Sequence, residues 1–324
     1  MNTRPGARLA WCWCGLTVAL LAAGIVLVAV DPGAGGPSNP SAAGPSLGDE
    51  TASGGAVFSL FVAILFTAFA AAGAVMAARR PRNPVGWLFC AAGFFMAVTT
   101  LADATYWHAA FGEPGPHPTA ELALWVENWS WIPALVALFT LFPLLFPTGA
   151  PPSPRWRFLV WTAAGAGTIT LLATAFTPGP LQGFGWVENP IAIRGLGLGT
   201  VAEVSFVVGL AAALAGMASL VVRYRRSHGI ERQQLKWVTA GGSLMLLGAV
   251  TAAVVTATVS ELAGFACLLV GFVCLAAAVV VAMLRYRLYD LDVVINRALV
   301  YGALTATLAA AYVAIVLLLQ LVLS

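Results

Sequence analysis

"AVFSLFVAILFTAFAAAGAVMAARRPRNPVGWLF", residues 56–89, decides how the rest of the chain is read. From Ala56 to Ala78 it holds no charged residue. Arg79, Arg80 and Arg82 then sit among Pro81, Asn83 and Pro84, and at Val85 the apolar run resumes. A run of roughly 20 apolar residues crosses a hydrocarbon core of about 30 Å as one helix. Lipid offers the backbone no hydrogen-bond partners, so such a run must be helical. Prolines in a basic turn end one helix and start the next.

The pattern repeats along the chain. Of 324 residues, 60% are hydrophobic and 9% charged, and the mean hydropathy is +0.90. No soluble globular domain needs that much apolar surface. Apolar runs lie near Leu9–Val30, Ala56–Ala78, Val85–Asp103, Leu124–Phe146, Phe158–Phe176, Val201–Val222, Val238–Val259, Leu262–Leu284 and Ala298–Leu323. The reading is an all-α polytopic membrane protein with about nine transmembrane helices. The alternating ten-residue segments of a membrane barrel do not occur.

The arginines orient it. Arg4 and Arg8 precede the first span. Arg79, Arg80 and Arg82 follow the second, and Arg155 and Arg157 the fourth. Arg223, Arg225, Arg226, Arg232 and Lys236 follow the sixth, and Arg285, Arg287 and Arg297 the eighth. All fall on one side if the N-terminus is cytoplasmic, and only Arg194 lies opposite, as the positive-inside rule requires of the plasma membrane. The net charge of +3 is therefore a topology signal, and no basic soluble face exists to bind nucleic acid. Membrane lipid is the partner this pattern implies. Residues 1–55 form an uncleaved membrane anchor plus a Gly/Pro/Ser-rich external loop over 31–55. Residues 56–324 form the multi-span region. Cys12, Cys14, Cys90, Cys267 and Cys274 lie within apolar spans and read as small hydrophobes, not as a disulfide framework or zinc site.

Few residues carry chemistry. "RGLGLGT", Arg194–Thr200, has the look of a phosphate-binding glycine loop, but it falls on the outer side with no lysine after it, so its glycines read as those of a loop or a helix entry. His228, three residues before Glu231, reads as a solvated interfacial side chain. His108 and His117, with Glu113 or Glu121, stand in an irregular proline-rich loop whose loose spacing does not make a metal site. No catalytic set, no cofactor and no metal is implied.

Trp107, Trp125, Trp129, Trp131 and Trp186 gather at outer ends of spans, the pattern of an interfacial aromatic belt. A sharper reading makes Trp107, Trp129 and Trp131, with Glu127 and Glu203, a shallow ligand site, because acids at membrane depth are costly and often functional. A small-solute or lipid transporter would show paired broken helices and midplane polar groups. Pro133 and Pro143 interrupt the fourth span without a matching partner. Gly264 and Gly271, and Gly209 and Gly216, suit close helix packing.

The segment "RYRLYDLDVVINR", Arg285–Arg297, places acids between arginines. Arg285 and Arg287 reach lipid phosphates, and Asp290 caps a short helix with Asp292 in its first turn. Leu288, Leu291, Val294 and Ile295 form an apolar stripe, giving an amphipathic element on the inner leaflet.

Here the chain resembles the multi-span sensor region of actinobacterial sensor histidine kinases. "RYRLYDLDVVINRALVYGALTA" resembles the segment that closes that region. "RRPRNPVGWLF" (79–89), "LLFPTGAPPSPRWR" (144–157) and "RYRRSHGIERQQLKW" (223–237) resemble its first, second and third inner loops. The likeness covers roughly residues 56 to 324, with four motifs in order. Ala150 and Val293 stand where the family pattern has Arg, and His228 stands near another such position.

The resemblance implies a sensory and dimerising membrane module of a two-component phosphorelay. It also implies a homodimer, and a separate kinase core and cognate response regulator as partners. Arg285, Arg287, Asp290, Asp292, Asn296 and Arg297 become the signal-coupling residues. In the family a further span, a linker and the catalytic domains follow, and the end at Ser324 inside an apolar run reads as a truncated or split product. The alternatives are a transporter and a non-functional remnant.

Reporter fusions check the orientation. A reporter active only in the cytoplasm, placed after His228, is expected to be active, and the same reporter within residues 31–55 silent. The reverse pattern overturns the N-in topology.

Overall fold

Charge and proline set the turns, and glycine sets how closely the helices approach. The computed structural model describes residues 4–30, 51–112, 118–181, 184–258 and 261–284. Helix α1 runs Arg4–Val30, α2 Thr51–Arg79 and α3 Pro84–Gly112. The fourth span is built in pieces: α4 Pro118–Ser130, α5 Ile132–Leu135, a π-helical stretch Val136–Leu141 and α6 Phe142–Leu145. Then come a 3₁₀ turn at Pro154–Trp156, α7 Arg157–Phe176, strands β1 Pro180–Leu181 and β2 Phe184–Glu188, α8 Leu198–Arg226, α9 Gly229–Thr258 and α10 Glu261–Leu284. Among the described residues, eight helices are long and apolar enough to cross a membrane. The chain is an all-α polytopic membrane protein apart from the small antiparallel hairpin β1–β2. The ninth expected span, Ala298–Leu323, lies outside the described residues.

Helices α1, α2 and α3 pack on one another, α3 also packs on α4, and α7 packs on α8. The hairpin of α9 and α10 docks on α2 through α10. A row of rings joins the second, third and fourth spans: Phe69 stacks on Phe89 at 5.3 Å, Phe89 meets Phe142 edge-on at 5.4 Å, and Phe142 meets Phe146 at 5.2 Å. Leu235, Val238, Val279 and Met283 of α9 and α10 close the same buried cluster. Aromatic pairs in such geometry add about 0.5–1.5 kcal/mol each beyond area burial.

Small residues let backbones touch where lipid supplies no hydrophobic drive between helices. A Cβ at Gly73 would stand 2.5 Å from the Cys90 amide nitrogen, and one at Gly86 would stand 2.6 Å from that of Ala77. On the α9–α10 seam, a Cβ at Gly248 would meet the Cys267 carbonyl at 2.8 Å, and one at Gly271 the Met245 Cα at 3.0 Å. Gly216 meets the Thr140 carbonyl in the same way, at 3.2 Å. Gly209 faces open space, so the expected Gly209–Gly216 packing pair reduces to Gly216.

Two further expectations change. The basic stretch 223–237, expected as a loop, is almost entirely helix. Helix α8 continues through Arg226 and α9 begins at Gly229, leaving only Ser227 and His228 between them. Arg, Gln, Glu and Lys are good helix formers, so the charged turns extend the spans beyond their apolar parts. The connection between α7 and α8 contains the β hairpin. Asn189 organises its exit, donating to the carbonyls of Ala175 at 2.9 Å and Thr177 at 2.8 Å. The "RGLGLGT" stretch is a helix start, with Gly197 in a left-handed conformation at φ 59° before α8.

Replacing Gly73 by Leu is expected to lower the thermal unfolding midpoint in detergent, at a cost of about 1–3 kcal/mol for overpacking. Gly15→Leu, where nothing stands within 4 Å of the added Cβ, is the matched control. Equal midpoints for the two variants would show that the α2–α3 contact is not close-packed.

Candidate functional site

The coupling candidates Arg285, Arg287, Asp290, Asp292, Asn296 and Arg297 lie outside the described residues, as do Glu113 and His117. The ligand candidates Trp107, Glu127, Trp129, Trp131 and Glu203 are described, and they divide. Trp107 is on α3, Glu127 and Trp129 are on α4, and Trp131 stands at the break before α5. Glu203 is exposed on α8, which packs on α7, the π-helical stretch and α6 rather than on the α3–α4 pair that carries Trp107, Glu127 and Trp129.

Between α3 and α4 the structure builds a polar seam. Thr99, Asp103 and Trp107 recur every fourth residue and share one face of α3. The Trp107 Nε1–H donates to Asp103 Oδ1 at 3.0 Å. The hydroxyls of Thr99 and Ser130 are 2.8 Å apart and join the two helices. Glu127 lies one turn before Ser130, nine residues into α4, or roughly 14 Å along its axis. Trp129 meets Trp125 edge-on at 5.5 Å, and its Nε1–H has no acceptor among the described residues. Trp131 is tied locally, donating to the Asn128 carbonyl at 3.0 Å. Trp125 donates to the Ala175 carbonyl at 2.7 Å and fastens α4 to the end of α7. Three of the five tryptophans thus have their indole N–H groups satisfied within the protein, and the described part of the belt is also a set of fasteners.

The second assembly is on the face that carries the arginines. Pro143 and the π-helical stretch disturb the regular hydrogen bonding of the fourth span. Helix α8 brings Ala212, Gly216, Ser219 and Arg223, all buried, against that disturbance. Ser219 Oγ donates to the Pro143 carbonyl at 3.1 Å. The Arg223 guanidinium, 6% exposed, donates through Nη2 to the carbonyls of Leu144, at 3.0 Å, and Ala150. Its Nη1 points at Thr148 Oγ1, 3.4 Å away.

The first arginine turn joins from the other side. Asn83 Nδ2 donates to the Pro147 carbonyl at 3.1 Å, while its Oδ1 accepts from the Val85 N–H at 3.0 Å. Gly149, at φ 81°, lies so near that a Cβ there would stand 2.8 Å from Asn83 Oδ1. Trp87 donates to the Pro81 carbonyl at 2.9 Å and closes the turn. Arg232 of α9 lies over the Tyr224 ring at 5.3 Å and braces the α8–α9 junction. His228 in that junction is exposed.

The stretches 79–89, 144–157 and 223–237 therefore meet as one hydrogen-bonded platform. Asp103 and Arg223 are the residues that sequence reading missed as site members. Asp103 carries a signal in the Asp103-to-Trp107 spacing of one helical turn. Arg223 carries none, since it sits in a run of arginines. No family model, no curated protein and no solved structure matches the chain.

A double-mutant cycle on Thr99→Ala and Ser130→Ala checks the seam. Hydroxyl pairs between membrane helices couple by about 0.6 kcal/mol on average, and a favourable coupling of that size in unfolding free energy is expected. Strict additivity would show that the two hydroxyls do not cooperate.

Proposed function

We propose that this chain is a membrane sensory and dimerising module of a two-component sensor histidine kinase, set in the plasma membrane with its N-terminus cytoplasmic. The observation that carries the reading is the meeting of the three arginine-bearing stretches. Each resembles an inner loop of that family, they occur in the family's order, and the Asn83–Pro147 and Arg223–Leu144 hydrogen bonds join them on one face. Loops that serve only to fix topology need a few cations and no mutual bonds.

The fourth span connects the two assemblies. Its outer part, α4, carries Glu127 and Ser130 of the seam, and its other end is held by Ser219 and Arg223. The π-helical stretch lies between them, and such stretches often mark functional adjustment points in helices. In this reading a stimulus at Trp107, Glu127, Trp129 or Trp131 shifts α4, and the platform passes the shift to the coupling segment 285–297. The kinase core receives it, and the response regulator is the downstream partner.

A small-solute or lipid transporter is the second reading. It is favoured by the interrupted fourth span together with the polar α3–α4 seam.

Joining the full chain to a related kinase core, through one further span that returns the chain to the cytoplasm, tests the sensory role. Asp290→Asn and Asp292→Asn are expected to change basal phosphorylation by up to about fivefold, the range of exposed ion pairs worth about 0–1 kcal/mol. Expression and topology should be unchanged. Output identical to the parent, with and without stimulus, would sink the coupling role. Solute uptake by proteoliposomes of the purified chain would favour the transporter.

A further inference from the structure

Beside Arg223 the platform encloses a cavity of about 280 Å³. Its walls are Thr148, Pro151 and Pro152 from the second basic stretch, Val222, Arg223 and Arg226 from α8, Ser227, and Glu231 from the first turn of α9. Drug-sized pockets begin at about 300 Å³, so this one suits a small group or the head of a larger molecule.

Its charges are unevenly answered. The hydrogen bonds of Arg223 all go to neutral acceptors: two carbonyls and a hydroxyl. Its Nε–H, buried with the rest of the side chain, has no acceptor among the described residues. The guanidinium charge is thus anchored without being neutralised. Arg226 adds a second guanidinium, one turn from Val222 and exposed at the mouth. Glu231 supplies a single negative charge. Arginine forks match the oxygens of phosphate groups, and guanidinium is the more weakly hydrated cation, so it tolerates a partly buried site. Two guanidiniums and one carboxylate leave one positive charge. That balance suits a singly charged anion and disfavours a doubly charged one.

We infer that the cavity between residues 148–152 and the α8–α9 junction binds a singly charged phosphodiester. Arg226 holds the phosphate oxygens, and the buried Arg223 guanidinium in the cavity wall adds its positive charge behind them. Glu231 accepts from a hydroxyl or amine on the group beyond it, and Val222, Pro151 and Pro152 form the apolar wall. The site lies where the apolar part of α8 gives way to its arginines, the level of a phospholipid headgroup. A soluble phosphodiester has the same chemistry. This assignment does not depend on the kinase reading.

The test uses the purified full chain in a neutral detergent. Two probes are added separately, phosphatidylglycerol and the soluble diester glycerophosphoglycerol, and bound adducts are counted by native mass spectrometry. Arg226→Gln is expected to weaken binding of the active probe about tenfold, the loss of one charge-assisted pair. Arg82→Gln removes the same charge from an exposed position outside the cavity and is expected to leave binding unchanged. Binding of the lipid alone identifies a headgroup site, and binding of the soluble diester identifies a site for a soluble ligand. If neither probe binds, or if Arg82→Gln weakens binding as much as Arg226→Gln, the assignment is overturned.

Discussion

The arrangement rests on how one helix end is satisfied. A backbone carbonyl left without a partner in an apolar phase costs several kcal/mol, and the fourth span leaves such carbonyls at its end, a disturbance set by α6 stopping at Leu145 and by Pro147, which has no N–H to offer the Pro143 carbonyl. Helix α8 answers the disturbance with residues three and four apart. Gly216 permits the approach, Ser219 donates to Pro143, and Arg223 donates to Leu144 and Ala150. An arginine rather than an aliphatic residue stands in this buried place because the carbonyls need donors. The side chain is long and rigid enough at its tip to reach two of them.

Several features follow from that repair. The loop after α6 is held by Arg223 on one side and Asn83 on the other, so three connections become a single surface. The cavity beside Arg223 is a by-product of the same geometry. Pro151 and Pro152 form part of its wall. On the opposite face polar groups are few and are used in pairs: Thr99 with Ser130, Trp107 with Asp103, Trp125 with the end of α7. Weak individual bonds between small polar groups join the helices without locking them. The glycine seams of α2–α3 and α9–α10 provide the rigid part, since close backbone packing leaves little room to slide.

Much of this was legible in the residues, and its limits have physical causes. Eight spans could be marked because apolar length is a local property, and the turns at 79–84 and 148–156 announced themselves by arginine and proline. The helical character of 223–237 was hidden, because charged residues in a connector read as loop, although the same residues are good helix formers once a span has nucleated the helix. The β hairpin at 180–188 was missed because two short strands leave almost no periodic signal. Glu127 and Trp107 were marked as candidates by residue type, yet Asp103, which binds Trp107, was passed over as the last residue of a span. Glu203 was grouped with them on depth alone, and α8, which carries it, packs chiefly on α7.

By itself the sequence determined the solvent this protein lives in, the helical state of its spans and the gathering of its cations at alternate connections. Each of these follows from transfer free energies that act residue by residue, with no reference to distant neighbours. Which spans touch, which glycines are contacts, and which arginine is buried were decided only in three dimensions. Gly209 and Gly216 are alike in sequence and differ in that only one meets a neighbouring backbone. Arg223, Arg225 and Arg226 lie within one turn of helix, and only Arg223 turns toward the open carbonyls of the fourth span while its neighbours remain exposed. That choice depends on the rotation of α8 against a partner nearly eighty residues away, which no local pattern records.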